Sequence, residues 1–300
     1  MSPLGRFPSG PSSQRPGKGG PEAASGRTPL IGHSSPGELP AEKGGRRLLW
    51  EENTFPAVEH VLAAGAVALL PVGAIEPHGP HLPLGTDVII AAEMARRAAV
   101  ELDRRKVRCF LLPPIVYSVA EWSASFPGVL SLRPSTVRAV VREVCLGAHS
   151  AGSRQVALAN AHLEPGHVAC LREACREVAA ETGWPPVFPD ITRRSLAQRL
   201  GEAFLSGDHA GRFETALVMA ARPELVDEAV RRTLPPVNVS LVEKIRAGAA
   251  SFRQVGMDRA YCGDPAAASA AEGETLFDEL AGILAEGILA ALAGEQGESR

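Results

Sequence analysis

Residues 71–87 read PVGAIEPHGPHLPLGTD, a run that puts Glu76, His78, His81 and Asp87 into one short loop. It directly follows the apolar run Ala66 to Leu70, which has the length and composition of a buried strand. Proline restricts the backbone and glycine lets it approach closely, so carboxylates and imidazoles in such a loop can be held around an accessible ion. The alternative is a polar surface loop in which Asp87 only caps the next helix. The rest of the chain bears on that choice.

The 300 residues carry a formal net charge of −3, and 45% of them are apolar. That is enough for the core of one large α/β domain. The balanced charge gives no footprint for nucleic acid or an anionic membrane. No apolar run reaches the ~20 residues of a membrane span, and the N-terminus lacks a secretory pattern. Cys109, Cys145, Cys170, Cys175 and Cys262 form no CxxC pair and sit mostly in apolar patterns, which suits reduced, buried thiols. The expectation is a cytoplasmic protein, so the sequon at Asn238 is without consequence.

Residues 1–45 are rich in Gly, Pro and Ser without an apolar period, and are expected to be disordered. One domain, residues 46–295, follows. Helical patterns are expected over Thr54–Ala64, Val88–Leu102, Pro134–Ala148, Gly166–Glu181, Arg193–Leu205, from Gly211 through Ala221, Val226–Arg232 and Gly273–Ala293. Strand patterns cover Ala66–Leu70, Val107–Ile115, Gln155–Ala159 and, weakly, Val187–Ile191. Residues 235–271 give no clear pattern. This alternation predicts a mostly parallel sheet covered on both faces.

Glu76 and His78 stand two apart beyond one strand; His162 and Glu164 stand two apart beyond another. Residues i and i+2 of an extended chain share a face, and ligand sites of open parallel sheets lie beyond the strands' carboxyl ends. With Asp87 these groups suit Zn²⁺ or Mn²⁺. Two such ions bring four positive charges against three carboxylates, and a bridging hydroxide would complete neutrality. One such His/Glu pair could instead satisfy core hydrogen bonds. His209 and Glu214 flank a helix start, where an imidazole could carry a proton and a carboxylate could orient it. Alternatively Asp208 caps that helix and Glu214 pairs with Arg212 or Arg222. There is no HExxH, Walker A, GxGxxG or GxSxG pattern.

The run from Pro71 to Asp87, together with His162-Leu163-Glu164 and His209-Ala210-Gly211 followed by Glu214-Thr215, resembles the creatininase (creatinine amidohydrolase) family. Phe126-Pro127-Gly128 and Cys262-Gly263-Asp264-Pro265 match weaker landmarks, and the likeness runs from about Arg47 to about Ala293. The resemblance implies a three-layer α/β/α sandwich, commonly hexameric. It implies one ion held by Glu76, Asp87 and His162, and a second by His78, Asp87 and Glu164. His209 would be the acid/base, supported by Glu214; Ser118, Trp122 and Leu163 would contact substrate. The implied activity is metal-dependent hydrolysis of a C–N bond in a small cyclic amide or formamide.

Departures cluster around the pocket. Leu163 stands where creatinine-hydrolysing members have an aromatic, and Leu205-Ser206 replaces a Trp-Asp pair. Pro165 and Gly128-Val129 also differ from the usual pattern. A substrate other than creatinine is therefore expected. The alternatives are a peptidase-like relative of the mycofactocin maturation type and a catalytically idle metal-binding scaffold.

Overall fold

The computed structural model describes residues 48–298; the expectations for residues 1–45 lie outside the described residues. In chain order the elements are α1 (Phe55–Ala63), β1 (Val67–Val72), α2 (Thr86–Arg104), β2 (Cys109–Leu111), α3 (Pro134–Ser150), β3 (Gln155–Asn160) and α4 (Pro165–Thr182). The short helices α5 (Arg194–Ala197) and α6 (Gly201–Ser206) follow, then α7 (Arg212–Ala221), α8 (Glu228–Arg231), α9 (Leu241–Arg246) and the long α10 (Ala270–Glu298).

β1 is the middle strand. It pairs in parallel with β2 and with β3, setting Val67 opposite Cys109 and Gln155. Every residue of β1 and β3 is buried, as a parallel sheet covered on both faces requires. Alternate residues of β1 divide the interior. Val67 and Leu69 share a core with Ile90 and Met94 of α2, Leu217 of α7 and Leu284 of α10. Ala68, Leu70 and Val72 share another with Val141 of α3 and Leu171 and Val178 of α4. Helices on both faces of the sheet make the three-layer α/β/α sandwich. In α2 the buried Ile90, Met94, Ala98 and Leu102 recur every four residues, the spacing of one helical face.

Three expectations change. The strand over Val107–Ile115 is only Cys109–Leu111, because Pro113 and Pro114 bring no N–H to the ladder. Val187–Ile191 contributes one parallel bridge, Val187 to Ala157, between prolines at 186 and 189. The helix over Arg193–Leu205 breaks at Gly201, whose φ of 85° lies in the region that glycine adopts without steric cost.

These elements fix where the chemistry sits. β1 and β3 are neighbours, so the loops leaving their carboxyl ends are side by side. Gly73 lets α2 close on the first of these loops: a Cβ there would stand 2.6 Å from the backbone nitrogen of Val88. Among the described residues no helix is long and apolar enough to cross a membrane.

The tightest helix contact is between α7 and α10, where a Cβ on buried Gly273 would overlap the Ala216 carbonyl. Gly273→Val should lower stability by roughly 2–3 kcal/mol or more in urea unfolding, because the backbones must part. Gly147→Ala on the exposed side of α3, where a Cβ meets nothing within 4 Å, should be neutral or stabilising by up to ~1 kcal/mol. Equal effects of the two substitutions would contradict this packing.

Candidate metal centre

The loop after β1 is pinned by backbone bonds from Glu76 N–H to the Leu84 carbonyl (3.0 Å) and from Gly79 N–H to the Ala260 carbonyl (2.8 Å). It delivers Glu76 and His78, the first turn of α2 delivers Asp87, and the loop after β3 delivers His162. All four side chains are buried. Asp87 lies between the two imidazoles, its Oδ1 3.1 Å from His78 Nε2 and its Oδ2 2.9 Å from His162 Nδ1. Glu76 Oε1 is 3.1 Å from the same nitrogen of His162.

The tautomers follow from the far side of each ring. His78 Nδ1 donates to the Glu76 carbonyl at 3.0 Å and His162 Nε2 donates to the Val119 carbonyl at 2.7 Å. A carbonyl only accepts, so in each neutral ring the nitrogen facing the carboxylates is a bare lone pair. Acceptors thus converge on acceptors away from water, an arrangement that needs a cation between them.

Without a metal that cation is a proton. Burial opposes charging of His78, yet Asp87 and then Glu214 raise it to about 10. His162 rises well above its ordinary value against burial, through Glu76 and Asp87. Against the upward push of burial, His78 and His162 hold Asp87 well below the usual carboxylate range, and His162 lowers Glu76. The buried atoms His78 Nε2 and Asp87 Oδ2 nevertheless have no hydrogen-bond partner. A nitrogen and oxygen donor set of this kind fits Zn²⁺ or Mn²⁺. Three groupings bring one donor atom per residue within 4.8 Å of one another: Glu76, Asp87 and His162; His78, Asp87 and Glu214; and Glu76, His78 and His209.

Glu164 joins none of these three groupings. It lines the same cavity, but Oε1 accepts from Glu121 N–H at 3.1 Å and Oε2 from Trp122 N–H at 3.2 Å. Burial pushes it up to about 7. Glu214 lies nearer the imidazoles, with Oε2 3.7 Å from His78 Nε2 and 3.9 Å from His209 Nδ1. The same oxygen accepts the Ala210 N–H at 2.5 Å. Arg212 pairs with Glu272 and Arg222 with Glu224, so Glu214 turns inward and is not their surface partner. Asp208 accepts from Gly211 N–H at 3.0 Å and Phe213 N–H at 3.3 Å, the helix-start role considered for it.

His209 Nε2 donates to the Pro77 carbonyl at 3.0 Å, leaving Nδ1 as its acceptor. Its ring lies between those of His78 and Phe252, each with a centroid 4.5 Å away. Trp122 and Leu163 line the cavity. Ser118 does not: it is fully buried and its hydroxyl bonds His167 Nδ1, because β3 and α4 bring that imidazole behind the site. His81, singled out in the first loop, bonds Thr215 Oγ1 at 2.9 Å and joins none of the three groupings.

A supporting layer was not legible in sequence. His167 Nε2 donates to Asn160 Oδ1 at 2.8 Å, and Asn160 Nδ2 donates to the His162 carbonyl at 2.7 Å. Ser123 Oγ donates to Glu76 Oε2 at 2.9 Å. A lone histidine on an apolar helix face reads as core, so only its proximity to His162 reveals His167. The cavity in front of the centre holds about 610 Å³.

Residues 51–288 match the family model described as creatinine amidohydrolase. A mycofactocin precursor peptide peptidase of Mycobacterium ulcerans (strain Agy99) is 32% identical over 221 residues, 71% of this chain and 80% of the relative. The creatinine amidohydrolase of Pseudomonas putida is 30% identical over 223 residues, 66% of this chain and 83% of that protein. Among solved structures, a manganese creatininase superposes with a TM-score of 0.64 at 22% identity, covering 81% of this chain and 98% of that one. A mutant creatininase of Zn–Zn type gives 0.63 at 22% identity, with the same coverage. At that identity the structural likeness establishes the fold.

The proton on His78 makes a prediction about the metal-free protein. Its value is raised from 6.5 to about 10, so its stabilising contribution is complete below pH 6.5 and lost as pH rises through about 10. Urea midpoints of chelator-treated protein should decline across that window. With saturating Zn²⁺ the ring has no proton to lose and the decline should flatten. A metal-free midpoint that climbs across the window would contradict the assignment.

Proposed function

The chain belongs to the creatininase family of hydrolases, and on that premise we propose that it cleaves an amide C–N bond with two divalent ions, Zn²⁺, Mn²⁺ or one of each. The observation that carries the reading is the placement of Asp87, one oxygen beside His78 and the other beside His162, with both imidazoles fixed by backbone carbonyls. Glu76, Asp87 and His162 would hold one ion, and His78 and Asp87 the other. Family resemblance assigns Glu164 as the third donor of the second site, while proximity to His78 favours Glu214. Metal content of Glu164→Gln against Glu214→Gln separates the two, since the true ligand should cost about one equivalent.

When bound, such ions supply Lewis-acid activation of the amide carbonyl and of the attacking water. His209 does the proton work. With Nε2 committed to Pro77, Nδ1 accepts a proton from the attacking water and hands it to the leaving nitrogen as the C–N bond breaks. Glu214, fixed by the Ala210 N–H, stabilises the imidazolium formed in between. Packing of the His209 ring between His78 and Phe252 holds Nδ1 in one direction.

Small cyclic amides and formamides are the first substrates to consider, and Leu163 and Leu205 argue against creatinine itself. The peptidase reading has its own support in relatives named as peptide peptidases and in a cavity of about 610 Å³. That volume lies in the range of roughly 300–1,000 Å³ that takes ligands much larger than one small ring. A homo-oligomer, hexameric by resemblance, belongs to the same proposal.

His209→Ala should lower kcat about 10²- to 10⁴-fold on any amide the wild type cleaves, with bound metal unchanged. Wild-type kcat in this variant would remove His209 from the proposal. Bound metal without turnover of lactams, formamides or dipeptides would favour the idle scaffold.

A further inference from the structure

His81 belongs to none of the metal groupings, yet it is 2% exposed and its partner Thr215 is fully buried. Their hydrogen bond of 2.9 Å joins segments 134 residues apart: the loop of Glu76 and His78, and the first turns of α7. Burial, and then the charge of Arg231, pushes His81 down to about 4, so its ring is neutral, with one N–H and one bare nitrogen. Nδ1 has no hydrogen-bond partner and faces Gly79, where a Cβ would stand 2.9 Å away. A buried N–H pointing there would go unpaired. The proton is therefore on Nε2, which donates to Thr215 Oγ1. The Thr215 hydroxyl turns its own proton towards the Ala210 carbonyl, a longer contact of 3.5 Å.

Ala210 is where that chain of bonds meets the chemistry. It follows His209 directly and is fully buried, with a φ of 47°. A residue with a Cβ adopts this left-handed conformation only where its surroundings impose it. Glu214 holds the Ala210 N–H and Thr215 faces its carbonyl, so neighbouring side chains of α7 grip both sides of the residue. On the other side of the turn, His209 Nε2 donates to Pro77, four residues before His81 in the same loop. We propose that His81 is a positioning residue for His209: through Thr215 it keeps the Ala210 turn left-handed, and so holds the His209 ring against Pro77 and His78. This rests on the reading of His209 as the proton carrier, and adds a residue that acts on it without holding an ion.

The test is nitrogen NMR of zinc-loaded protein carrying isotope-labelled histidine, with the His209 signals assigned from His209→Gln. Wild-type His209 should show one neutral tautomer, protonated on Nε2. T215V leaves the His81 N–H without an acceptor, whereas T215S keeps the hydroxyl. In H81L/T215V neither member of the pair is left unpaired, so the core is spared a buried orphan group. In T215V and in H81L/T215V the His209 signals should broaden or average between tautomers, with zinc per chain unchanged, and T215S should keep the wild-type pattern. On any lactam, formamide or dipeptide that the wild type cleaves, kcat should fall about ten-fold in both variants with KM unchanged. His209 signals that stay wild-type in both variants, whatever their Tm, would overturn the proposal and leave His81 a core contact. So would a change that T215S shares. Altered His209 signals in a protein whose wild type turns over no amide would keep the positioning role and sink the hydrolase reading alone.

Discussion

Lone pairs that face each other without water hold the key to this molecule. His78 and His162 are each committed on one nitrogen to a backbone carbonyl, so the other nitrogen must meet Asp87 or Glu76 as an acceptor. Buried carboxylates and imidazoles so arranged repel unless a positive charge sits among them, and desolvation makes the cost of an unpaired charge large. The chain can meet that requirement with protons or with metal, and the two solutions differ in what they enable. A proton neutralises the cluster. An ion in the same place also brings a Lewis acid to the floor of a cavity.

The fold exists in a form that can sustain this arrangement. A fully buried parallel sheet puts two loops side by side at the carboxyl ends of β1 and β3. The first turn of α2 closes against one of them at Gly73. Behind the imidazoles, the Val119 carbonyl and the Asn160 amide hold His162, and His167 in turn donates to that amide's oxygen. Such outer contacts keep a site in geometry before any ion arrives. The same elements line the cavity beside the donors with apolar side chains such as Leu163 and Phe204.

Much of this was readable in the sequence, and the limits have physical causes. The run Ala66 to Leu70 reads as a buried strand, and the buried strand Val67–Val72 covers it from Val67 onward. The breaks at Gly201 and at Pro113-Pro114 come from backbone geometry that residue periodicity averages over. Glu164 was harder. Its spacing from His162 suggests a shared direction, but Glu164 opens α4, where the chain is no longer a strand. N–H groups some forty residues earlier, at Glu121 and Trp122, capture its carboxylate. The place of Ser118 was hidden for a similar reason: its partner His167 comes from another element. Contacts between distant segments are the part that local pattern does not encode.

The central claim is that Asp87 is shared between two ions. The most direct measurement is metal per chain, by elemental analysis, on protein purified without chelator and on Asp87→Asn beside it. The account predicts about two equivalents of Zn, Mn or their sum in the wild type, and loss from both positions when the shared carboxylate becomes an amide. A wild-type chain that takes up no metal after incubation with Zn²⁺ and Mn²⁺, or an Asp87→Asn chain that keeps its full complement, would contradict it.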